Sequence, residues 1–159
     1  MEMQTIRTAV DSDVPRCAEL LGILFSQEQE FSADSEIQAR ALSMIIQNPE
    51  LGQIFVAEVA GTVQGMVMLL FTISTFLGKK VALLEDMVVA PESRGKGIGS
   101  LLLNHALHVA RQERLGRITL LTDPDNKSAQ QLYTKKGFIK SEMVVFRKAI
   151  DGDSPHGDL

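Results

Sequence analysis

The spacing of apolar residues changes period several times along the chain, and each change marks an element. Met3 to Ala9 reads as a short strand with Ile6 as its clearest core position. Asp11, Ser12 and Asp13 then offer helix caps, and Pro15 suits the first helical turn. Val14, Cys17, Leu20, Leu21, Leu24 and Phe25 recur at helical spacing. A second helix is predicted from Asp34 to Gln47, with Ile37, Ala41, Met44 and Ile45 on one face, and Asn48-Pro49 ends it. Three strands follow, Gln53 to Val59, Val63 to Phe76 and Val81 to Val89, joined by turns at Ala60-Gly61-Thr62 and Leu77-Gly78-Lys79. Gly95 to Arg114 is a long helix whose apolar arc runs through Ile98, Leu101, Leu102, Leu103, His105, Ala106, Leu107, Val109 and Ala110. So broad an arc predicts burial over most of the helix circumference. Arg117 to Thr122 is then a strand, Asn126 to Lys136 a short helix and Ser141 to Lys148 a final strand.

This order predicts a mixed α/β (α+β) domain over residues 1–150, built around a mixed sheet, with a disordered polar tail at 151–159. A length of 159 residues suits a single domain and a sizeable core. Sixteen basic against twenty acidic side chains give a net charge of −4, which argues against nucleic-acid binding and would suit a cationic substrate. The single cysteine, Cys17, permits no internal disulfide, and with the three histidines it makes no metal-ligand pattern, so no metal is expected. The N-terminal segment lacks a leader pattern, and no apolar run is long enough for a bilayer, so the expectation is a cytoplasmic protein without membrane contact.

The most informative segment is Val88 to Ser100, VVAPESRGKGIGS, where a strand ends, three alternate glycines follow and a helix begins. Gly95, Gly97 and Gly99 leave backbone N–H groups unshielded at a helix N-terminus, where the macrodipole favours an anion such as a pyrophosphate. Arg94 and Lys96 add two cations there. By itself such a turn is as readily a device for close helix–sheet packing. The spacing matches neither a P-loop nor a dinucleotide fingerprint.

Arg94-Gly95-Lys96-Gly97-Ile98-Gly99 resembles the Arg/Gln-x-x-Gly-x-Gly/Ala signature of GNAT-type N-acetyltransferases. Asn126, Leu132-Tyr133 and Lys136-Gly137-Phe138 resemble their second signature, in the same order and context. The resemblance covers roughly residues 3 to 149 and implies a central, mostly antiparallel mixed sheet flanked by helices, with acetyl-CoA as cosubstrate. It implies that backbone groups of Met87, Val88 and Val89 line the pantetheine arm, that Arg94 to Ser100 cradle the pyrophosphate, that Asn126 contacts the cofactor, and that Tyr133 sits by the thioester sulfur. It further implies a splay between the strands ending at Val89 and Thr122 that admits the cofactor, and it is compatible with a homodimer.

Amide formation needs a deprotonated amine, donors for an oxyanion and a proton or hydrogen bond for the departing thiolate. A lysine-like amine, with a pKa of about 10.4, arrives protonated, so a base or a desolvating site is required. Tyr133 is the acid candidate, and N–H groups near Met87 to Val89 are the oxyanion donors. Some members of the family carry a glutamate base before the second signature; the corresponding residue here is Leu121. Glu85 and Asp86 remain, and Leu84-Glu85-Asp86 resembles the Leu-Glu-Asp of polyamine acetyltransferases, which ranks Glu85 first. Glu28, Glu30, Phe31, Asp34 and Glu36, between the first two helices, read as a solvated acidic stretch that would favour a cationic amine if it lined the acceptor site. His105, inside the apolar arc, and Cys17 read as core. The resulting expectation is an acetyl-CoA-dependent N-acetyltransferase acting on a small-molecule primary amine. The alternatives are a protein or peptide N-acetyltransferase, or an acyl-CoA sensing module that has lost turnover.

Overall fold

A computed structural model of the chain describes residues 3–28 and 35–150. They group into two compact units, residues up to Asp123 and residues from Pro124 onward. Glu30, Phe31 and Asp34 of the acidic stretch, the side chain of Glu28 and the tail 151–159 lie outside the described residues.

The first unit is a five-stranded sheet in the order β1-β2-β3-β4-β5: β1 Gln4–Thr8, β2 Gly52–Val59, β3 Thr62–Ser74, β4 Lys79–Val89 and β5 Ile118–Leu120. The ladders from β1 to β4 are antiparallel, and β4 pairs with β5 in parallel. Tight turns suffice for the β2–β3 and β3–β4 hairpins, with Gly61 and Gly78 supplying the positive φ each turn requires. The parallel pair needs a crossover, which α3 (Ile98–Gln112) provides. The sheet is therefore mixed and mostly antiparallel, as expected.

Period-two alternation assigns the two faces. Ile54 and Val56 of β2, with Met66 and Met68 of β3, join Cys17, Leu20 and Leu21 of α1 (Val14–Glu28) and Leu42 of α2 (Ser35–Ile46) in one core cluster. On the other face Phe55 meets the His105 ring of α3 edge-on, with centroids 4.8 Å apart. Burial pushes the Cys17 thiol up to about 12, so it is inert core, as its place in the sequence suggests. Arg7 clamps Asp13 with two hydrogen bonds of 2.8 and 3.0 Å, and Asp13 in turn accepts from the Val10 N–H, which closes the entry to α1.

Three expectations need correction. α3 buries Ile98, Leu102, Leu103, Ala106 and Ala110, but Leu101 is 39% exposed: the helix packs on one sheet face, so its buried stripe is narrower than its apolar arc. The strand expected over Arg117 to Thr122 is only Ile118–Leu120. Ser141 to Lys148 forms no strand, and Met143, Val144 and Phe146 are exposed. Strand-forming side chains specify a strand only where a neighbouring strand supplies the ladder.

Among the described residues the second unit contains one helix, α4 (Lys127–Lys135). Asn126 caps it: its side-chain carbonyl accepts from the Ala129 N–H at 3.2 Å. Gly137, with φ 94°, closes its other end.

Candidate active site

Strand β4 carries an irregularity at the charged pair flagged in the sequence. Met66 opposes Val88 and Met68 opposes Glu85, so two residues of β4, Asp86 and Met87, face the single Val67. This is a β-bulge, and Asp86 sits in it with φ 53°, a left-handed conformation that Asp tolerates better than most residues. The extra residue puts Glu85 and Val88 on the same sheet face, because their partners Met68 and Met66 both belong to the α1–α2 core cluster. Glu85 is exposed, Asp86 and Met87 are half-buried, and Val88 is buried. Simple alternation would have placed Glu85 and Val88 on opposite faces; the bulge replaces that rule locally.

β4 pairs with β5 only over Ala82–Leu84, opposite Ile118–Leu120. Beyond Leu84, Glu85 to Val89 pair with β3 alone among the described residues, so one backbone edge of the bulged segment is left without a strand. The splay implied by the resemblance would fall at this edge, although β5 ends at Leu120 rather than at Thr122.

The chain leaves β4 through Ala90 and a 3₁₀ turn at Pro91–Ser93. Arg94 folds back, its Nε donating to the Val89 carbonyl at 3.0 Å, and both Arg94 and Lys96 are exposed. Gly95 and Gly97 have φ of 76° and 82°, and a Cβ on either would meet no atom within 4 Å. Gly97 is the N-cap of α3, and the first backbone bond there runs from the Leu101 N–H to its carbonyl at 3.1 Å. The N–H groups of the first turn before Leu101 have no partner of their own in a helix. Ile98 is fully buried, so its contribution to a ligand is its backbone N–H, whereas Gly99 and Ser100 are half-buried. An open loop of exposed N–H groups with two cations at a helix head suits a pyrophosphate.

Tyr133 belongs to the second unit, and the end of its own helix holds it. The Phe138 N–H donates to the Tyr133 carbonyl and the Gly137 N–H to the Thr134 carbonyl, both at 3.0 Å, which is a Schellman cap. Its usual apolar contact is the Tyr133–Phe138 ring pair, edge to face with centroids 5.9 Å apart. Lys136-Gly137-Phe138 is thus a device that fixes the tyrosine ring. Burial raises the Tyr133 pKa above the usual 10, so the phenol keeps its proton at neutral pH. Asn126 is the N-cap of α4, with its carbonyl oxygen committed to the cap.

Comparison with known proteins bears on the family and the fold. The family model of the Acetyltransferase (GNAT) family matches residues 16–138, which is most of the chain and both motif segments. The chain belongs to the GNAT acetyltransferase family. It is 33% identical over 136 residues to the "uncharacterized N-acetyltransferase YhfO" of Bacillus subtilis, covering 84% of this chain and 88% of that one. Among solved structures, a "possible acetyltransferase" of Clostridium difficile superposes with a TM-score of 0.83 at 18% identity, over 94% of this chain and 99% of the other. A "predicted acetyltransferase with acetyl-CoA" of Clostridium acetobutylicum gives a TM-score of 0.78 at 20% identity, over 92% and 96%. These two show that the fold is that of GNAT acetyltransferases, and the family and the Bacillus relative make the chain an acetyltransferase enzyme. Among the described residues no helix is long and apolar enough to cross a membrane.

Sequence reasoning missed three features of this acetyltransferase. The bulge at Asp86 had only a weak signal, an Asp inside an apolar strand. The capping role of Gly137 was legible as a glycine just past a helical run. Gly65, inside β3, is the third: an isolated glycine in a strand signals a close approach.

Proposed function

We propose that this acetyltransferase transfers the acetyl group of acetyl-CoA to a small-molecule primary amine in the cytoplasm. The observation that carries the reading is the pair of left-handed, unobstructed glycines heading α3, directly downstream of the bulged, one-sided segment of β4. In this reading the N–H groups from Gly95 to Ser100, with Arg94 and Lys96, hold the pyrophosphate. Backbone groups of Met87 to Val89 hold the pantetheine arm and donate to the thioester oxygen as it gains charge. Asn126 contacts the coenzyme from the second motif.

The amine nitrogen attacks the thioester carbonyl carbon, and the C–S bond breaks as the amide forms. Glu85, exposed on the α1–α2 face, takes the amine's proton directly or through water. Tyr133 stabilises the departing thiolate. With a pKa above 10 it does so chiefly as a hydrogen-bond donor, because full transfer to a thiol of pKa about 8.5 runs uphill. The net charge of −4 and the exposed Glu85 favour a cationic acceptor.

The test is thiol release from acetyl-CoA across polyamines, amino acids, aminoglycosides and peptide N-termini. Turnover with one small-amine class is expected. Turnover confined to peptides would move the acceptor to proteins, and binding of acetyl-CoA without turnover on any amine would contradict the proposal.

A further inference from the structure

Gly65 lies in β3, opposite Val89 of β4, and is buried. A Cβ placed on it would stand 3.1 Å from Leu102 Cδ1, 3.2 Å from Ile98 Cγ2 and 3.2 Å from the Val88 carbonyl oxygen. Each distance is shorter than an ordinary van der Waals contact, and all three neighbours are buried, so none yields freely. Val88 is at the end of the strand that enters the glycine-rich loop. Ile98 is the first residue of the helix that leaves it. Gly65 therefore sits against both ends of the loop, and its missing methyl sets how closely the head of α3 approaches the end of β4.

The neighbouring residues of β3 hold the same region. The Gln64 carbonyl accepts from the Ala90 N–H at 2.7 Å. Arg16 of α1 donates to the Val63 carbonyl at 2.8 Å and to the Gln64 side-chain oxygen at 3.1 Å. The start of β3 is thus a fixed platform, and the height of the α3 head above it is decided at Gly65.

We infer that Gly65 is a positioning residue for the coenzyme: by letting the first turn of α3 seat on β3 beside Val88, it sets the span across which the loop N–H groups meet a pyrophosphate. This rests on the reading of Arg94 to Ser100 as a pyrophosphate cradle. Gly65 touches no ligand itself. A methyl there pushes Ile98 and Leu102 outward, and the cradle opens with them, while on the β4 edge that would hold the pantetheine arm it meets only the Val88 carbonyl oxygen.

The test is the affinity of acetyl-CoA and of S-acetylpantetheine, which lacks the nucleotide and pyrophosphate, for the wild type and for Gly65→Ala. Calorimetry serves the tight ligand and NMR titration the weak one, so no acceptor amine is needed. The expected result is an acetyl-CoA dissociation constant raised about tenfold, with S-acetylpantetheine, whose binding edge meets the methyl only at the Val88 carbonyl, weakened by no more than about twofold. An equal loss for both ligands would show a merely structural glycine, and no loss for either would remove the role; both overturn the inference. If Gly65→Ala does not fold, the same ratio is read in Gly65→Ala/Leu102→Val. That variant removes Leu102 Cδ1 but leaves the added methyl against Ile98 and Val88. A selective loss of about threefold is then expected, and a wild-type ratio contradicts the inference. A wild-type protein that binds both ligands equally would overturn the cradle reading itself, and the inference with it.

Discussion

Arg94 to Ser100 and Asn126 to Phe138 carry the two motifs of this acetyltransferase, and different forces hold them. The glycine loop stands on a dense core: Ile98 and Leu102 are fully buried against the sheet, and the loop above them carries three glycines and the exposed Arg94 and Lys96. The tyrosine helix contains no fully buried residue and is capped at both ends, by Asn126 at one and by Gly137 with the Phe138 ring at the other. The first region is sensitive to added atoms and long-range packing. The second is sensitive to the loss of a single functional atom or of a local cap.

The largest effect expected from this contrast is on turnover. Tyr133→Phe keeps the ring against Phe138 and deletes only the hydroxyl, so kcat should fall by about 10²-fold or more with little change in the KM for acetyl-CoA. Steady-state kinetics with an accepted amine would check it, and an unchanged kcat would remove Tyr133 from the chemistry.

Gly97→Ala should do the reverse. Its φ of 82° costs an L residue about 1–2 kcal/mol, and the methyl shields the loop, so the KM for acetyl-CoA should rise roughly tenfold with kcat nearly intact. A fall confined to kcat would break the division between the two regions.

Gly137→Ala sharpens the contrast from the other side. At φ 94° it loosens the last turn of α4, by about 1 kcal/mol, and should lower kcat about threefold through the Tyr133 ring, without changing acetyl-CoA affinity. Circular dichroism and kinetics together would report both effects.

The smallest effect is on stability and belongs to the core beneath the loop. Burial against Phe55, with the nearby His108 charge as a lesser cause, lowers the pKa of His105 below its usual value of about 6.5. Between that lowered value and about 6.5 the unfolded chain binds a proton that the fold does not. This contribution is complete above about 6.5 and is lost as the pH falls. Urea melts at pH 5 and pH 7 should show a drop that His105→Leu reduces, and an identical drop in the variant would assign it elsewhere.

Much of this was legible along the chain. The three long strands, their glycine turns and the two motif segments follow from local pattern, because periodicity and turn chemistry are local. What escaped was non-local. The bulge at Asp86 appears only when β4 is set against β3, since it is a mismatch of register. The value of Gly65 depends on a helix more than thirty residues downstream. Ser141 to Lys148 has the composition of a strand, yet composition cannot supply a partner. Leu101 shows the same limit in a helix: an apolar residue within the arc remains partly exposed because the sheet offers α3 only one face.

The proposed function puts coenzyme affinity chiefly on the glycine loop and the departure of the thiolate on Tyr133. The most direct measurement takes wild type, Gly97→Ala and Tyr133→Phe together and reads two quantities for each: the acetyl-CoA dissociation constant and the rate of acetylated amine formation at saturating acetyl-CoA. The account predicts a crossover, with affinity lost only in Gly97→Ala and rate lost only in Tyr133→Phe. Loss of both quantities together in either variant, or of neither in both, would contradict it.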